Sequence, residues 1–260
     1  MQDATIFDPN DPNAGDIRNA RVSFVNRDIT TGTVFYPNCL SLTPVLVNPS
    51  DLKTGIVSCT VRFDIGSKDS DQYTVGLIVD NYYTRNSSID DTVLTISKPL
   101  TTAFVTGGGY LVNQSSIGQY GGTAGAKTNF GLNVKNNKSA KNLQGNLNVI
   151  IRRLENGVWK TYQIKSNQTD SLFENLTSAS TGTAQFTGKA NLTDVTDPLN
   201  PVGRASGLTF QITLSDQGEP GNTDSISFSL WDGGALVYSS NWNGAKTNEQ
   251  ILNGGNLRVK

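Results

Sequence analysis

The residues of this sequence best suited to chemistry are carboxylates in one short segment. Asp216, Glu219 and Asp224 stand in the run Asp216–Asp224, which reads DQGEPGNTD. Its two glycines and its proline allow the chain to fold back on itself, and Ca²⁺ prefers several oxygen ligands close together. The segment therefore predicts a calcium site, although its spacing is not that of an EF-hand loop. The alternative is a β-hairpin loop whose carboxylates accept hydrogen bonds from backbone N–H groups.

Two other groups of aspartates suggest the same chemistry. Asp8, Asp11 and Asp16 precede the first well-marked strand, where they either bind calcium or form a solvated turn rich in Asn and Asp. Asp194 and Asp197 form a second group, within LTDVTDPLNP. Calcium is the one cofactor that the sequence suggests.

Paired carboxylates also permit glycoside hydrolysis. Asp216 and Asp224 would have to act as general acid and as base or nucleophile. The chain has no histidine, which removes Ser–His and Cys–His nucleophile pairs and every zinc site that uses histidine. Catalytic acids normally lie in a large cleft, whereas the short loops predicted here favour compact domains. We therefore expect no catalytic residue and no enzymatic activity, and a hydrolase is the last alternative.

Two tryptophans suggest carbohydrate binding. Trp231 and Trp242 flank the turn Asp232–Gly234, and an exposed indole ring can stack on a sugar. Burial of both rings in the core is the alternative. The adjacent Tyr82 and Tyr83 allow the same two interpretations. The sequence therefore assigns no residue to carbohydrate binding.

The two cysteines, Cys39 and Cys59, predict one disulfide. They are too few for a four-cysteine metal site, and the polar, turn-rich composition suits an exported protein. Cys59 falls on the inward row of a predicted strand, so the bridge would join neighbouring elements. Closing a loop of about 20 residues would stabilise the fold by about 3 kcal/mol. Two buried thiols remain the alternative.

Most of the chain is predicted to form β-strands. Apolar side chains recur at every second position, which is the pattern of a strand with one buried face. The clearest inward rows lie in Val57–Ile65, Tyr73–Val79, Leu147–Ile151, Leu208–Leu214 and Ile226–Leu230. Asn156-Gly157 predicts a tight hairpin turn between two strands. No stretch shows the sustained spacing of an amphipathic helix, so the predicted fold class is all-β.

The strands divide into two predicted β-sandwich domains. Residues 1–100 would hold about six or seven strands, the size and rhythm of an Ig-like sandwich. Residues 101–260 would hold about eight or nine strands and form a second, jelly-roll-like sandwich. Lys98–Leu100 would be a short junction. Gly107–Gly109 begin the second domain, where we expect the backbone to bend or to approach another strand closely.

Charge and hydropathy limit the expected partners. The chain carries 21 basic and 22 acidic residues without a basic run, so we expect no nucleic acid partner. No apolar run approaches the ~18 residues that predict a membrane span, so we expect no membrane insertion. The expected partners are neighbouring domains of the same polypeptide, other surface proteins or a glycan.

Several short motifs occur in a distinctive order. They are VTGGGY at 105–110, KTNFG at 127–131, GNL at 145–147, the acidic segment at 216–224 and GGNL at 254–257. Residues 104–260 thereby resemble a TGGG-type β-sandwich module of large secreted bacterial surface proteins. In such proteins the module commonly follows Ig-like or related repeats, and residues 73–99 are similar to the end of such a repeat.

This resemblance implies a non-catalytic role at the bacterial cell surface, in spacing, adhesion or self-assembly. It assigns no binding residues. We therefore expect an extracellular structural or adhesion module. A carbohydrate-binding accessory module of a secreted polysaccharide-active enzyme is the first alternative, and a glycoside hydrolase is the second.

Overall fold

The structure is a computed structural model that describes residues 15–68, 70–98, 104–136 and 143–260. These residues are almost entirely strands and the turns between them. Helical turns are limited to two short 3-10 segments in the described ranges, Ile17–Asn19 and Ser88–Asp90. The all-β prediction is confirmed.

The described strands are numbered here in chain order. They are β1 Ala20–Asn26, β2 Val34–Phe35, β3 Val45–Leu46, β4 Gly55–Ile56, β5 Ser70–Asn81, β6 Arg85–Asn86, β7 Thr92–Ser97, β8 Phe104–Val112, β9 Lys127–Asn136, β10 Leu143–Glu155, β11 Val158–Leu176, β12 Gly182–Asp194, β13 Val202–Asp216, β14 Ser225–Asp232, β15 Ala235–Ser239, β16 Gln250–Ile251 and β17 Gly254–Val259.

The chain divides into two compact units. The first contains the described residues up to Asp64 together with Thr74–Asp91, and the second contains Ile65–Tyr73 and Thr92–Lys260. Strand β5 passes from the second unit into the first between Tyr73 and Thr74. The boundary predicted between residues 100 and 101 lies outside the described residues.

The first unit has few long strands. β1 pairs antiparallel with β5, from Ala20 opposite Asn81 to Asn26 opposite Val75, and the hydrogen-bonded order is β2–β1–β5–β6. A separate pair is formed by β3 and β4. Since β2, β3, β4 and β6 have two residues each, the predicted Ig-like sandwich, which needs two facing sheets of longer strands, is not confirmed.

The row from Val57 to Ile65 corrects one sequence prediction. Its side chains alternate between half-buried and exposed as expected, yet residues 57–65 form no strand. Side chains hold the segment instead: Val57 packs on the small core of the unit, and the Phe63 ring meets Tyr36 edge to face at 5.5 Å. Alternating burial therefore indicates an extended backbone with one side buried. It does not require that the backbone belong to a sheet.

The second unit is a sheet in which most neighbours in space are neighbours in the chain. Its order is β15–β14–β13–β12–β11–β10–β9–β8–β17, and β16 pairs with β14. All these pairings are antiparallel. This is the order of an up-and-down meander, so the predicted jelly-roll-like arrangement, which needs Greek-key connections, is not confirmed.

The sheet coils around a single core. Phe130 in β9 and Phe228 in β14 lie five positions apart in the sheet order, which in a flat sheet would separate them by about 24 Å. Their ring centroids are 5.2 Å apart. Phe186 and Phe210 form a second fully buried pair in the same cluster. The two ends of the sheet therefore share one hydrophobic interior.

The predicted hairpin turn is confirmed. β10 and β11 pair as far as Glu155 opposite Val158, which leaves Asn156 and Gly157 as a two-residue loop. Both have positive φ, 51° and 80°, as a type I′ turn requires.

The glycine run in β8 marks a close approach of two strands, as the sequence predicts. Gly107 and Gly109 face β17, and a Cβ added to Gly107 would lie 2.6 Å from the Asn256 carbonyl oxygen. At Gly109 an added Cβ would overlap the Gly254 carbonyl. Only glycine allows the two backbones to pair at this distance.

Candidate binding groove

A groove lies on the outer face of β13 and β14 in the second unit. Its volume is about 480 Å³, within the range of about 300–1,000 Å³ that is usual for ligand sites. The lining side chains are Gln211, Thr213, Ser227, Ser229, Trp231, Trp242, Ala245, Lys246, Thr247, Asn248 and Glu249.

The floor of the groove consists of paired polar side chains. In β13 the even positions Leu208–Leu214 enter the core, so Gln211 and Thr213 point outward. Across the strand pair Gln211 faces Ser229, and Thr213 faces Ser227. The same alternation that builds the core therefore places hydroxyl and amide groups on the outer face.

Hydrogen bonds join the floor residues to one another. The hydroxyl oxygens of Thr213 and Ser227 are 2.5 Å apart, and the Ser229 hydroxyl donates to the Gln211 carbonyl at 3.4 Å. Ser227 and Ser229 are only 3% and 7% exposed. The Ser229 proton and one proton of the Thr213–Ser227 pair are used in these bonds. The remaining hydroxyl proton and lone pairs, together with the exposed amide of Gln211, can still offer both kinds of bond to a ligand.

A folded-back loop, residues 241–249, forms one wall. The Asn243 side chain accepts hydrogen bonds from the backbone N–H groups of Ala245 and Lys246, at 3.0 and 2.9 Å. The backbones of Trp242 and Thr247 form an antiparallel bridge. Gly244 takes φ 98° at the tip, where a side chain would be strained. These local bonds hold Trp242 in place beside the floor.

Two half-buried indoles form the apolar end of the groove. The rings of Trp231 and Trp242 meet edge to face, with centroids 6.5 Å apart and planes at 62°. Neither belongs to the core cluster of the unit, so the alternative of core burial does not describe them. The groove thus combines a ring surface at one end with polar side chains along its floor, which suits a ligand with apolar and polar faces.

Glu249 marks the other end. Its Oε2 accepts hydrogen bonds from the hydroxyls of Ser215 at 2.8 Å and Ser225 at 2.5 Å. Among the described lining residues, Lys246 supplies the one cation and Glu249 the one anion. The groove therefore carries little net charge, which favours an uncharged ligand.

The three carboxylates predicted to bind calcium lie in the second unit beside β17 and are not part of the groove lining. Asp216 accepts the N–H groups of Gly218 and Val259, at 2.8 and 2.9 Å. Asp224 accepts those of Gln217 and Leu257, at 2.9 and 2.8 Å. This is the alternative that the sequence left open, a loop whose carboxylates bind backbone N–H groups.

Glu219 completes this acidic loop through side chains. It accepts from Asn256 Nδ2 at 2.9 Å and from the Arg258 guanidinium at 2.7 Å. In the part of the chain that the structure describes, no three or more His, Cys, Asp or Glu side chains are arranged to hold a metal ion. Calcium binding at this loop stays a prediction.

Burial raises the pKa of the Asp224 carboxyl. Hydrogen bonds from the N–H groups of Gln217 and Leu257 oppose this effect, while the nearby charges of Asp216 and Glu219 raise the pKa further. The net shift is upward. Asp224 therefore holds its proton more strongly in the folded chain than in the unfolded chain.

The other aspartates predicted from the sequence serve local structure. Burial raises the pKa of Asp194, but hydrogen bonds from Arg204 and Thr196 outweigh it and leave the pKa lowered. Asp197 accepts the N–H of Leu199 at 3.0 Å within a surface turn. Of the N-terminal group, Asp16 pairs with Arg18 at the surface.

Asp8 and Asp11, the other two members of that N-terminal group, lie outside the described residues. The calcium site predicted for them therefore stays a prediction.

The predicted disulfide is confirmed. Cys39 and Cys59 are bridged, with their Cα atoms 5.6 Å apart, within the usual range for a disulfide. Cys39 is fully buried. Because Cys59 lies in segment 57–65, which forms no strand, the bridge fastens this stretch of chain to the first unit.

Several groove residues were not identified from the sequence. The floor could have been found, because Gln211, Thr213, Ser227 and Ser229 are the polar partners of the best alternating rows. The wall had a weaker signal, the turn dipeptide Asn243-Gly244. Nothing in the local sequence showed that this loop would fold back over β14 and bring Glu249 to the serines.

No family model matches the chain, and neither the curated proteins nor the solved structures give a match. In the described ranges, no helix has the length and apolar character needed to cross a membrane. Function is therefore inferred from the geometry of the groove and of the sheet that carries it.

Proposed function

We propose that this chain is a non-catalytic extracellular module of a bacterial surface protein that acts by holding a partner. The single observation that carries the proposal is the groove, in which two half-buried tryptophans adjoin a floor of hydroxyl and amide groups. The resemblance of residues 104–260 to surface-protein modules and the Cys39–Cys59 bridge support an extracellular location.

The strand order favours partner contact over spacing. β8 and β17 are the first and last strands of the meander and are neighbours in the sheet. Phe104 and Lys260 exchange backbone hydrogen bonds of 2.6 and 2.9 Å. The meander therefore begins and ends at the same place, so it adds little distance between the residues that flank it. A spacer would gain more from a module with its ends far apart.

The edges of this sheet favour a discrete module over edge-to-edge assembly. On β17, the outward N–H groups of Leu257 and Val259 are bonded to Asp224 and Asp216. On β15, Ser239 exchanges backbone hydrogen bonds with Ile117, at 3.1 and 2.9 Å. An edge whose N–H groups are already bonded does not recruit a further strand. Contacts with partners are then left to side chains, as in the groove.

One observation favours the second candidate, a carbohydrate-binding accessory module: the tryptophan pair is accessible from the groove. The hydrolase alternative gains no such support. Hydrolysis needs two carboxyl groups flanking the scissile bond, and Glu249 is the one carboxylate in the described lining. Asp216 and Asp224, the pair considered from the sequence, hold backbone N–H groups of β17.

Adhesion of chain-coated beads tests the proposal. Beads carrying the purified chain are applied to surfaces coated with polysaccharide or with protein, and the supernatant is assayed for new reducing ends and new amino groups. We expect firm adhesion to one class of surface, no cleavage products above those of a heat-denatured sample, and loss of adhesion when Trp231 and Trp242 are both replaced by alanine. Accumulating cleavage products, or adhesion unaffected by the double replacement, would contradict the proposal.

A further inference from the structure

We infer that the groove binds a neutral glycan chain, with one sugar ring against Trp231 and Trp242 and the following units along the polar floor. This inference rests on the proposed function and specifies its partner. Three features support it: the ring surface, the floor, and the balance of charge.

The tryptophan pair fits the apolar face of a sugar. A pyranose ring presents C–H groups on its faces and hydroxyls around its rim, and an indole presents a flat apolar surface of matching size. The edge-to-face packing at 6.5 Å fixes both rings before a ligand arrives. Fixed rings lose little conformational entropy on binding, so more of the contact energy remains as affinity.

The floor fits the rim of hydroxyls. From Trp231 the outward side chains of β14 in the groove lining are Ser229 and Ser227, each opposite a polar residue of β13. The four residue steps from Trp231 to Ser227 extend about 13 Å, which is longer than one sugar ring. Serine and threonine hydroxyls both donate and accept, as sugar hydroxyls do. The floor therefore matches a chain of sugar units better than a single sugar.

The charge in the groove selects a neutral glycan. Glu249 is held by Ser215 and Ser225 at one end, and Lys246 is exposed on the wall. One positive and one negative group give no net attraction for uronates, sulfates or phosphates.

A proline-rich peptide can also occupy an aromatic groove, but its backbone offers mainly carbonyl acceptors. One proton of the Ser227–Thr213 pair is used in the bond between them, and such a peptide supplies few N–H groups, so the acceptor lone pairs of the floor would be left without donors. The mixed donors and acceptors of the floor therefore favour the glycan.

Affinity electrophoresis in gels cast with neutral polysaccharides tests this inference. A panel of β-glucans, α-glucans, mannans and galactans should include at least one that retards the chain. Trp231→Ala and Trp242→Ala should each weaken that retention at least tenfold, and Trp231→Phe should weaken it less than Trp231→Ala because it keeps a ring. Trp159→Ala is the matched control. Trp159 is 42% exposed on β11 and outside the groove lining, so this variant should stay within twofold of the parent.

Three results would overturn the inference: no neutral polysaccharide retards the chain, the Trp231→Ala/Trp242→Ala double variant is retained as strongly as the parent, or an acidic polysaccharide or a proline-rich peptide of similar length binds more tightly. Melting curves confirm that each variant is folded. The polysaccharide is also recovered and sized. A retained but shortened polysaccharide would refute the non-catalytic function and leave the site intact, whereas an intact polysaccharide that is not retained would refute the site alone.

Discussion

Asp216 accepts a hydrogen bond through its Oδ2 atom from the backbone N–H of Val259, at 2.9 Å, and both residues are buried. Asp224 makes the equivalent bond with Leu257, two positions earlier on β17. Two side chains from the end of β13 and the loop that follows it thus take the place of a neighbouring strand along this edge. The acidic loop that the sequence offered as a metal site completes the sheet.

Replacing Asp216 should measure this contribution. We predict that Asp216→Ala lowers the free energy of unfolding by about 1–3 kcal/mol, because the buried N–H of Val259 loses its acceptor. Urea unfolding followed by circular dichroism measures the change. Glu219→Gln is the control: the Glu219 side chain is 53% exposed in its pair with Arg258, and such surface pairs contribute about 0–1 kcal/mol. Equal losses in both variants would contradict the assignment.

The raised pKa of Asp224 predicts a specific dependence of stability on pH. Its folded pKa lies above the ordinary value for an aspartate, so the folded state binds this proton more strongly than the unfolded state. The contribution of Asp224 to stability therefore falls as pH rises from the unfolded pKa through the folded pKa. We expect the parent to lose stability relative to Asp224→Asn over this interval in urea melts. A constant difference between the two proteins would refute the assignment.

Asp194 provides a control of opposite sign. Its pKa is lowered in the folded chain, where Arg204 and Thr196 bond its carboxylate against the effect of burial. Its stabilising contribution is therefore present above the unfolded pKa and is lost as pH falls through the folded pKa. Relative to Asp194→Asn, the parent should lose stability in acid. The two variants should show opposite trends in the same series of melts.

Removal of metal should have no effect on melting. The carboxylate oxygens of Asp216 and Asp224 already accept hydrogen bonds at 2.8–2.9 Å, so we predict that melting temperatures with chelator and with added Ca²⁺ coincide. Differential scanning calorimetry measures both. A ligand that binds the folded state raises its stability in proportion to the logarithm of its concentration. A rise with Ca²⁺ that disappears in Asp216→Ala would contradict this expectation and confirm the calcium site predicted from the sequence.

Reduction of the disulfide should destabilise the first unit. The bridge closes a loop between Cys39 and Cys59, with a sequence separation of 20, and the chain-entropy model predicts a loss of about 3 kcal/mol. Limited proteolysis detects the destabilisation as faster cleavage within residues 57–65, because that segment forms no strand. The Cys39→Ser/Cys59→Ser variant should be cleaved rapidly with or without reductant. Cleavage of the parent that is insensitive to reductant would contradict this role.

Local features of the fold could be predicted from the sequence. The alternation in β13 and β14 correctly assigned Leu208–Leu214 and Ile226–Leu230 to the core, and Asn156-Gly157 correctly marked a hairpin. These features depend on neighbouring residues alone, through the two-residue period of a strand and the positive φ of a tight turn. Gly107–Gly109 also correctly indicated a close approach of strands.

Pairing between distant segments could not be predicted. Nothing in β8 specifies that its partner is β17, and the jelly-roll-like arrangement that the sequence predicts is not confirmed by the strand order. The segment 57–65 has the alternation of a strand although it forms none, because side chains covered on one side of an extended backbone give the same pattern as a strand in a sheet. The groove shows both cases: its floor follows from alternation in β14, whereas its wall depends on how the loop 241–249 folds back.

The pairing of Phe104 with Lys260 also decides how the second unit responds to tension. A pull applied between these two residues acts on the end of the β8–β17 ladder, perpendicular to its strands, and its hydrogen bonds break one after another. Sequential breakage needs less force than shearing a whole ladder at once. Stretching would therefore first detach β17, the edge strand whose N–H groups are bonded to Asp216 and Asp224.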